Sequence, residues 1–346
     1  MDSTKENTLL PDYSKEKIKV AFIGCGNIAY FHYDVLNALG INVIATAARS
    51  NSTNIVKFVS TYSAIVPYDN YKCMIKCEKP DAIFLLTSWD QTENILFDLA
   101  EYDIPILSEK PVALTPNKVE SLINLYEKKK SKLLVGYNRR FYDFIPEIKR
   151  KLTNLNISAV EIHIPESSSG INDYNLLNNL FIQNSSHVID IFYYLMNEPE
   201  IHIEKIKRAL SPHNNKPAGY NAFLSSDDIP VHLIANWNSP SNFWIKFHSE
   251  NFLVELLPLE VATLYNGFEI IEPSQNNPIR RYKPKVESQY YISEKSAKFK
   301  PGFLNQAINF IETSILCNYM NTQAATLEST LKITKACSSI INGEFI

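Results

Sequence analysis

The sequence has no apolar run near the roughly 20 residues needed to cross a bilayer. It also has no basic excess: 34 Lys and Arg stand against 37 Asp and Glu, a net charge of −3. Nucleic acid or an anionic membrane would call for clustered cations. The densest run, "EKKKSK" at Glu127 to Lys132, reads instead as the solvated end of a helix. Cysteine is scarce. Five residues, an odd number without paired spacing, argue against a disulfide framework and for a reducing compartment, so a cytoplasmic location is expected. Cys73 and Cys77 lie four apart, but no His or second Cys pair completes a zinc set, and no metal is expected. Residues 1–17 are polar, lack the apolar core of a signal peptide and read as a flexible arm. Internal repeats and low-complexity segments are also missing.

What is present is a chain of 346 residues, 45% hydrophobic and 21% charged, long enough for two domains. "IKVAFIG", "INVIATAA", "DAIFLLT", "IPILSEK" and "KLLVGYN" are short apolar runs separated by segments of helical periodicity. That alternation predicts a parallel sheet with both faces covered, over residues 18–137. After Arg140, "AVEIHIPE", "IPVHLIANWN", "NFWIKFHSE" and "FLVELLP" predict an antiparallel sheet. A helix at Phe181–Leu195 interrupts it, and "GFLNQAINFIETSIL" and "ATLESTLKITKACSSIING" close the chain as helices. The fold class is therefore α/β followed by α+β, with residues 138–346 as the second domain.

The first strand runs into "VAFIGCGNIA", a G-x-G-x-x-A loop that opens a helix. Gly24 permits the tight turn, Gly26 lets backbone approach a pyrophosphate, and Ala29 allows close helix packing. Dinucleotide binding follows, with Asn27 and Ile28 at the helix start. The second strand ends in Ala48-Arg49-Ser50, where a carboxylate would contact the ribose of NAD. A guanidinium and a hydroxyl instead favour NADP(H) over NAD(H); the alternative for Arg49 is stacking on adenine in an NAD site.

Glu109-Lys110-Pro111 follow another apolar strand, at the edge where ligands sit in open α/β sheets. A lysine there can stabilise negative charge on oxygen, although spacing alone would suit a surface lysine equally. His187 and Asp190 share a face of the Phe181–Leu195 helix with Tyr194, a pattern that also fits a satisfied core histidine.

Together "GCGNIAYFH", "SEKPVALT", "VGYNRRF" and an H-x-x-D helix resemble the glucose–fructose oxidoreductase / inositol dehydrogenase / rhizopine-catabolism (Gfo/Idh/MocA) family over about residues 18 to 345. The resemblance implies an N-terminal Rossmann domain and a C-terminal α+β domain with a large, mostly antiparallel sheet. It implies NAD(P)-dependent hydride transfer at a hydroxyl or keto carbon of a sugar or nucleotide-linked sugar, and a homodimer or homotetramer through that sheet. It makes Lys110 and His187 the catalytic pair, both in contact with the substrate, and sets Lys110 beside the nicotinamide of the cofactor as well. It places Thr87, Ser88, Trp89, Glu109, Asn138 and Arg139 along the cofactor, and Tyr137, Gln183 and Asn184 with the substrate. Three positions depart from the pattern: Thr92 where the family often has His, Gln183 in place of an Asp, and Ser185 in place of a Gly. Gln183 can hydrogen-bond but cannot exchange a proton. Two other readings remain: an imine or enone reductase, and a non-catalytic cofactor-binding scaffold.

Overall fold

A computed structural model describes residues 10–130, 132–167, 179–210, 217–319 and 322–343. The outer part of the expected arm, residues 1–9, and the last three residues lie outside that range. The chain divides into two compact units, one of residues 1–142 with 293–334, the other of residues 143–292 with 335–346.

The first unit is built on six parallel strands: β1 (Lys19–Ile23), β2 (Asn42–Ala47), β3 (Val66–Tyr68), β4 (Ala82–Leu85), β5 (Ile106–Ser108) and β6 (Leu133–Val135). Their order is β3-β2-β1-β4-β5-β6, so the direction of winding reverses between β1 and β4. Every residue of β4 and β5 is buried, as expected for strands covered on both faces. The covering helices are α1 (Asn27–Ala38), α2 (Thr53–Thr61), α3 (Tyr71–Glu78), α4 (Trp89–Leu99) and α5 (Pro116–Tyr126). Tyr13 is buried, and its hydroxyl donates to Glu312 at 2.8 Å, so one residue anchors to this unit the inner part of what was expected as a loose arm.

The closing helix α8 (Phe303–Phe310) also belongs to the first unit, although in the sequence it follows the second-domain strands. Phe303, Leu304, Ala307 and Phe310 present one apolar stripe to the core of this unit, with the Phe310 ring 5.4 Å from that of Phe84. Behind it, Lys132 Nζ donates to the Thr313 carbonyl at 2.9 Å, and Val135 bridges to Ala325.

The second unit opens with α6 (Ile145–Thr153) and β7 (Ile157–Ile164). Then come α7 (Ser186–Leu195) and strands β8 (Ile201–Leu210), β9 (Pro217–Ser226), β10 (Ile229–Asn236), β11 (Trp244–Ser249), β12 (Phe252–Leu256), β13 (Val261–Ile271) and β14 (Arg281–Tyr291). The sheet order is β14-β13-β12-β11-β7-β10-β9-β8, antiparallel at every pairing except β7 with β10. Helix α7 is buried from Ser186 to Tyr193 and again at Leu195, so it is a core helix rather than one with a solvent face. The last helix, α9 (Leu327–Asn342), begins where Thr326 Oγ1 accepts from the Ser329 amide and ends at Gly343, φ +70°. Among the described residues, no helix is long and apolar enough to cross a membrane.

If α8 completes the first unit's core, Phe303→Ala should cost about 3–5 kcal/mol in denaturant unfolding. Phe268→Ala, on the outer part of β13, should stay within about 0.5 kcal/mol. Equal effects of the two changes would place α8 outside that core.

Candidate cofactor and active site

β1 and β4 run side by side, with Leu86 N donating to Ile23 O at 2.7 Å. The chain leaves β1 through Gly24, whose amide donates to Ala47 O at 2.8 Å. Gly24 has φ +99°, and a Cβ there would lie 2.6 Å from the Leu86 carbonyl oxygen. Only glycine satisfies both conditions. Gly26 differs: a Cβ there would meet nothing within 4 Å, so its Cα faces open space. From Gly26 the backbone turns into α1, with Ala29 fully buried beneath. The open side therefore presents the helix start, with its unsatisfied amides, to whatever anion sits there.

A cavity of about 440 Å³ lies at this carboxyl edge of the sheet. Gly24, Gly26, Arg49, Thr87 and Ser88 line it, which brings together five of the residues the sequence assigns to the cofactor. Ser50 lies with Arg49 on an adjoining cavity. Asp69, just past β3, lines both cavities beside Arg49 and is a carboxylate the sequence reading did not weigh. Asp90 also feels Arg49: hydrogen bonds from Ser88 and then Gln91, with the Arg49 charge, hold its carboxyl below the usual range. Cys25 sits inside the loop, where burial pushes its thiol up to about 11, so it adds no negative charge there.

Thr87 and Thr92 hydroxyls lie 3.1 Å apart, and Thr92 Oγ1 also donates to Ser88 O at 3.1 Å. The residue standing where a histidine was expected thus ties the start of α4 to the loop before it. Trp89 is the first residue of α4 and half-buried; Asn27 and Ile28 begin α1, exposed and half-buried. None of these three lines the cavity.

Glu109 and Lys110 follow β5 directly. Glu109 turns its carboxylate onto His32 of α1, at 3.0 Å. Lys110 is half-buried, and its charge acts on that carboxylate. Tyr137, expected with the substrate, is a core residue at 1% exposure. Asn138 commits its side chain to the closing segment, donating from Nδ2 to the Pro301 carbonyl at 2.8 Å, while Arg139 is half-buried.

In the second unit, a π-helical turn over Phe181–Ser185 leads into α7. Phe181 anchors it, fully buried, with its ring 5.5 Å from Tyr220 and 6.2 Å from Trp237. Asn184 Nδ2 and Ser185 Oγ donate to the two carboxylate oxygens of buried Glu166, at 2.9 and 3.0 Å. A carboxylate thus meets this turn from another part of the chain. His187 and Asp190 follow on α7 at 8% and 0% exposure. Tyr194, the third member of the predicted stripe, takes the Lys149 ammonium on its ring at 3.8 Å from the centroid.

His32, Asp69 and Glu166 were not singled out in the sequence. His32 sits inside the quoted "GCGNIAYFH" motif, which was its only signal; nothing local marks the other two.

Residues 18–137 match the GFO_IDH_MocA family model, described as an oxidoreductase family with an NAD-binding Rossmann fold. The rhizopine catabolism protein MocA of Rhizobium meliloti is 25% identical over 134 residues, 39% of this chain and 41% of that protein. The chain therefore spans less than half the length of that relative. Among solved structures, a dehydrogenase (MviM) from Clostridium difficile is similar with TM-score 0.73 and 23% identity, over 94% of this chain and 99% of that one. A myo-inositol dehydrogenase from Lactobacillus casei, solved with NAD(H) and myo-inositol, gives TM-score 0.69 and 16% identity over 93% of each chain. The transcriptional regulator Gal80p from Kluyveromyces lactis gives 0.73 and 12%, over 97% of this chain and 95% of that one. At these identities the likeness is one of fold.

The two glycines predict opposite failures. Gly24→Ala should destabilise the protein by on the order of 1–3 kcal/mol, through φ and the Leu86 contact. Gly26→Ala should leave the melting temperature near wild type while weakening dinucleotide binding by about tenfold or more. A Gly26→Ala protein that binds as tightly as wild type would move the pyrophosphate away from this loop.

Proposed function

We propose that this chain, whose residues 18–137 are the NAD-binding Rossmann domain of the Gfo/Idh/MocA oxidoreductase family, catalyses hydride transfer at a hydroxyl or keto carbon of a sugar, cyclitol or nucleotide-linked sugar. The observation that carries the reading is the glycine loop opening on a cavity at the sheet's carboxyl edge, with Lys110 at the end of β5, two strands along that edge. The dehydrogenase neighbour solved with NAD(H) and myo-inositol supports the substrate class.

The residues present suit a dinucleotide. Gly24 and Gly26 leave its pyrophosphate a backbone cradle, and Arg49 with Ser50 offer a guanidinium and a hydroxyl to an adenosine 2′-phosphate. When bound, the nicotinamide supplies the hydride acceptor or donor. Lys110 donates a hydrogen bond to the reacting oxygen and stabilises negative charge as it develops. His187 accepts the alcohol proton in oxidation and returns it in reduction. Gln183, with no charge to offer, serves as a hydrogen-bond partner for a substrate hydroxyl.

NADP(H) is the preferred cofactor in this reading, and Asp69 tempers the preference by placing a negative charge on the cavity wall shared with Arg49. A second reading follows from the fold shared with a transcriptional regulator: a chain that binds cofactor without turnover. Lys110 and His187 speak against it, because a purely cofactor-sensing protein has no need of a proton carrier or an oxygen-polarising cation.

Fluorescence titration with NADPH and NADH tests the cofactor. Saturable binding with NADPH the tighter ligand is expected; Arg49→Asp should move the affinity ratio toward NADH by about tenfold, and Asp69→Asn the opposite way. An unchanged ratio in both variants would remove Arg49 and Asp69 from the adenosine site.

Turnover is tested by a screen of polyols and nucleotide sugars with the cofactor so identified. Lys110→Ala and His187→Ala should each lower kcat by about a hundredfold or more while cofactor affinity stays within about threefold. Near-full activity in either variant would strike that residue from the mechanism. Cofactor binding without turnover of any such substrate would favour the regulator.

A further inference from the structure

We propose that a buried His32–Glu109 clasp sets the position and charge of Lys110, tying the helix behind the cofactor loop to the residue that polarises the reacting oxygen. The proposal rests on the role given to Lys110 above. His32 is on α1 and only 2% exposed, its ring edge-on to Phe84 at 5.3 Å and tilted against Phe303 at 4.6 Å. Its Nε2 lies 3.0 Å from Glu109 Oε1, and the Glu109 side chain is 14% exposed. Against an ionised carboxylate, Nε2 carries the proton and donates it to the hydrogen bond.

Glu109 has little room to swing away. Gly136, just past β6, packs so closely that a Cβ there would come within 3.1 Å of the Ser108 carbonyl oxygen and 3.4 Å of Glu109 Cδ. The Gly136 amide donates to that same Ser108 carbonyl at 2.8 Å. Imidazole on one side and bare backbone on another hold the carboxylate beside the residue that follows it, Lys110.

Three cationic or protonatable groups face Glu109: His32 from α1, Lys110 next in the chain, and Lys300 from the segment before α8. Burial disfavours the ionised carboxylate, but the His32 hydrogen bond and the charges of His32, Lys110 and Lys300 outweigh it and hold the carboxyl below its usual range. Lys300 stands 5.0 Å from the ring centres of both Phe31 and Phe303, where burial, and then repulsion from Arg139 against the pull of Glu109, leave it lowered. Glu109 is therefore held as an anion directly beside Lys110 in the chain, where its negative charge favours an ammonium. An ammonium at Lys110 donates strongly to a developing alkoxide; a neutral amine does not.

The test reads Lys110 directly, without a substrate. Acylation of Lys110 by an amine-directed reagent at pH 8 is followed by peptide mass spectrometry, with exposed Lys57 as internal reference. In Glu109→Gln, Lys110 labelling relative to Lys57 should rise about tenfold, because the neighbouring anion is gone. His32→Leu should give a smaller rise, and His32→Gln, which keeps a side-chain N–H toward Oε1, should stay near wild type. Should Glu109→Gln fail to fold, the His32 pair reads the same contact with the carboxylate intact.

With an accepted substrate, His32→Leu should lower kcat by about tenfold with KM within about threefold, and His32→Gln should recover it. Lys110 labelling unchanged in a folded Glu109→Gln protein, or equal kcat in the two His32 variants, would overturn the clasp and leave the oxidoreductase reading untouched. Shifted labelling in a protein with no turnover would do the reverse, sustaining the clasp while the functional reading fell.

Discussion

A Cβ on Gly24 would lie 2.6 Å from the carbonyl oxygen of Leu86, so β1 and β4 approach there more closely than any other residue allows. The winding of the parallel sheet reverses between these two strands, and in open α/β sheets that reversal leaves a crevice at the carboxyl edge. The close approach puts the glycine loop and the Thr87–Ser88 loop on one cavity. It also fixes where α1 begins, and hence where His32 meets Glu109. One backbone contact thus sets both the opening offered to a dinucleotide and the distance from α1 to the residue beside Lys110.

Much of this was legible because the first-unit strands are covered on both faces and read as unbroken apolar runs. β3 was the exception; its three residues include a proline, and none is buried. In the second unit β7, β10, β11 and β12 were visible, and β8, β9, β13 and β14 were not. β14 is exposed along nearly its whole length and reads "RYKPKVESQYY", with neither an apolar run nor strict alternation to mark it. Such a strand is held by its ladder with β13, an interaction between segments that local composition does not record. The same limit explains α8. Its apolar stripe was plain, but the stripe alone did not say which core it would fill.

The site divides in the same way. Gly24 and Gly26 belong to a local motif whose spacing carries its meaning, Arg49 ends the next strand, and the fold sets all three on one cavity. The family resemblance puts Glu109 along the cofactor; its hydrogen-bond partner lies 77 positions away on another element. Around α7 Gln183 and Ser185 depart from the family pattern, and in sequence Gln183 reads as the loss of a proton-exchanging group. The buried carboxylate of Glu166 meets the same turn, and the Ser185 hydroxyl that replaces a glycine is one of the two donors that hold it. A substitution that weakens a motif in one dimension can be part of a compensated arrangement in three.

Burying an ionised group has an energetic consequence that bears on what the molecule is for. Moving a carboxylate out of water costs several kcal/mol, and well-packed apolar replacements of buried ion pairs are often neutral or stabilising. The pocket around His32 and Glu109 has Phe84 and Phe303 as walls, surroundings in which an apolar pair would pack without that penalty. Folding alone therefore does not call for a charge there. The proposed role of Lys110 does: a half-buried lysine that acts as an ammonium is served by an anion fixed within reach, and that anion in turn by a donor that cannot drift. The arrangement follows from that requirement, with His32 holding Glu109 and Glu109 holding the charge on Lys110.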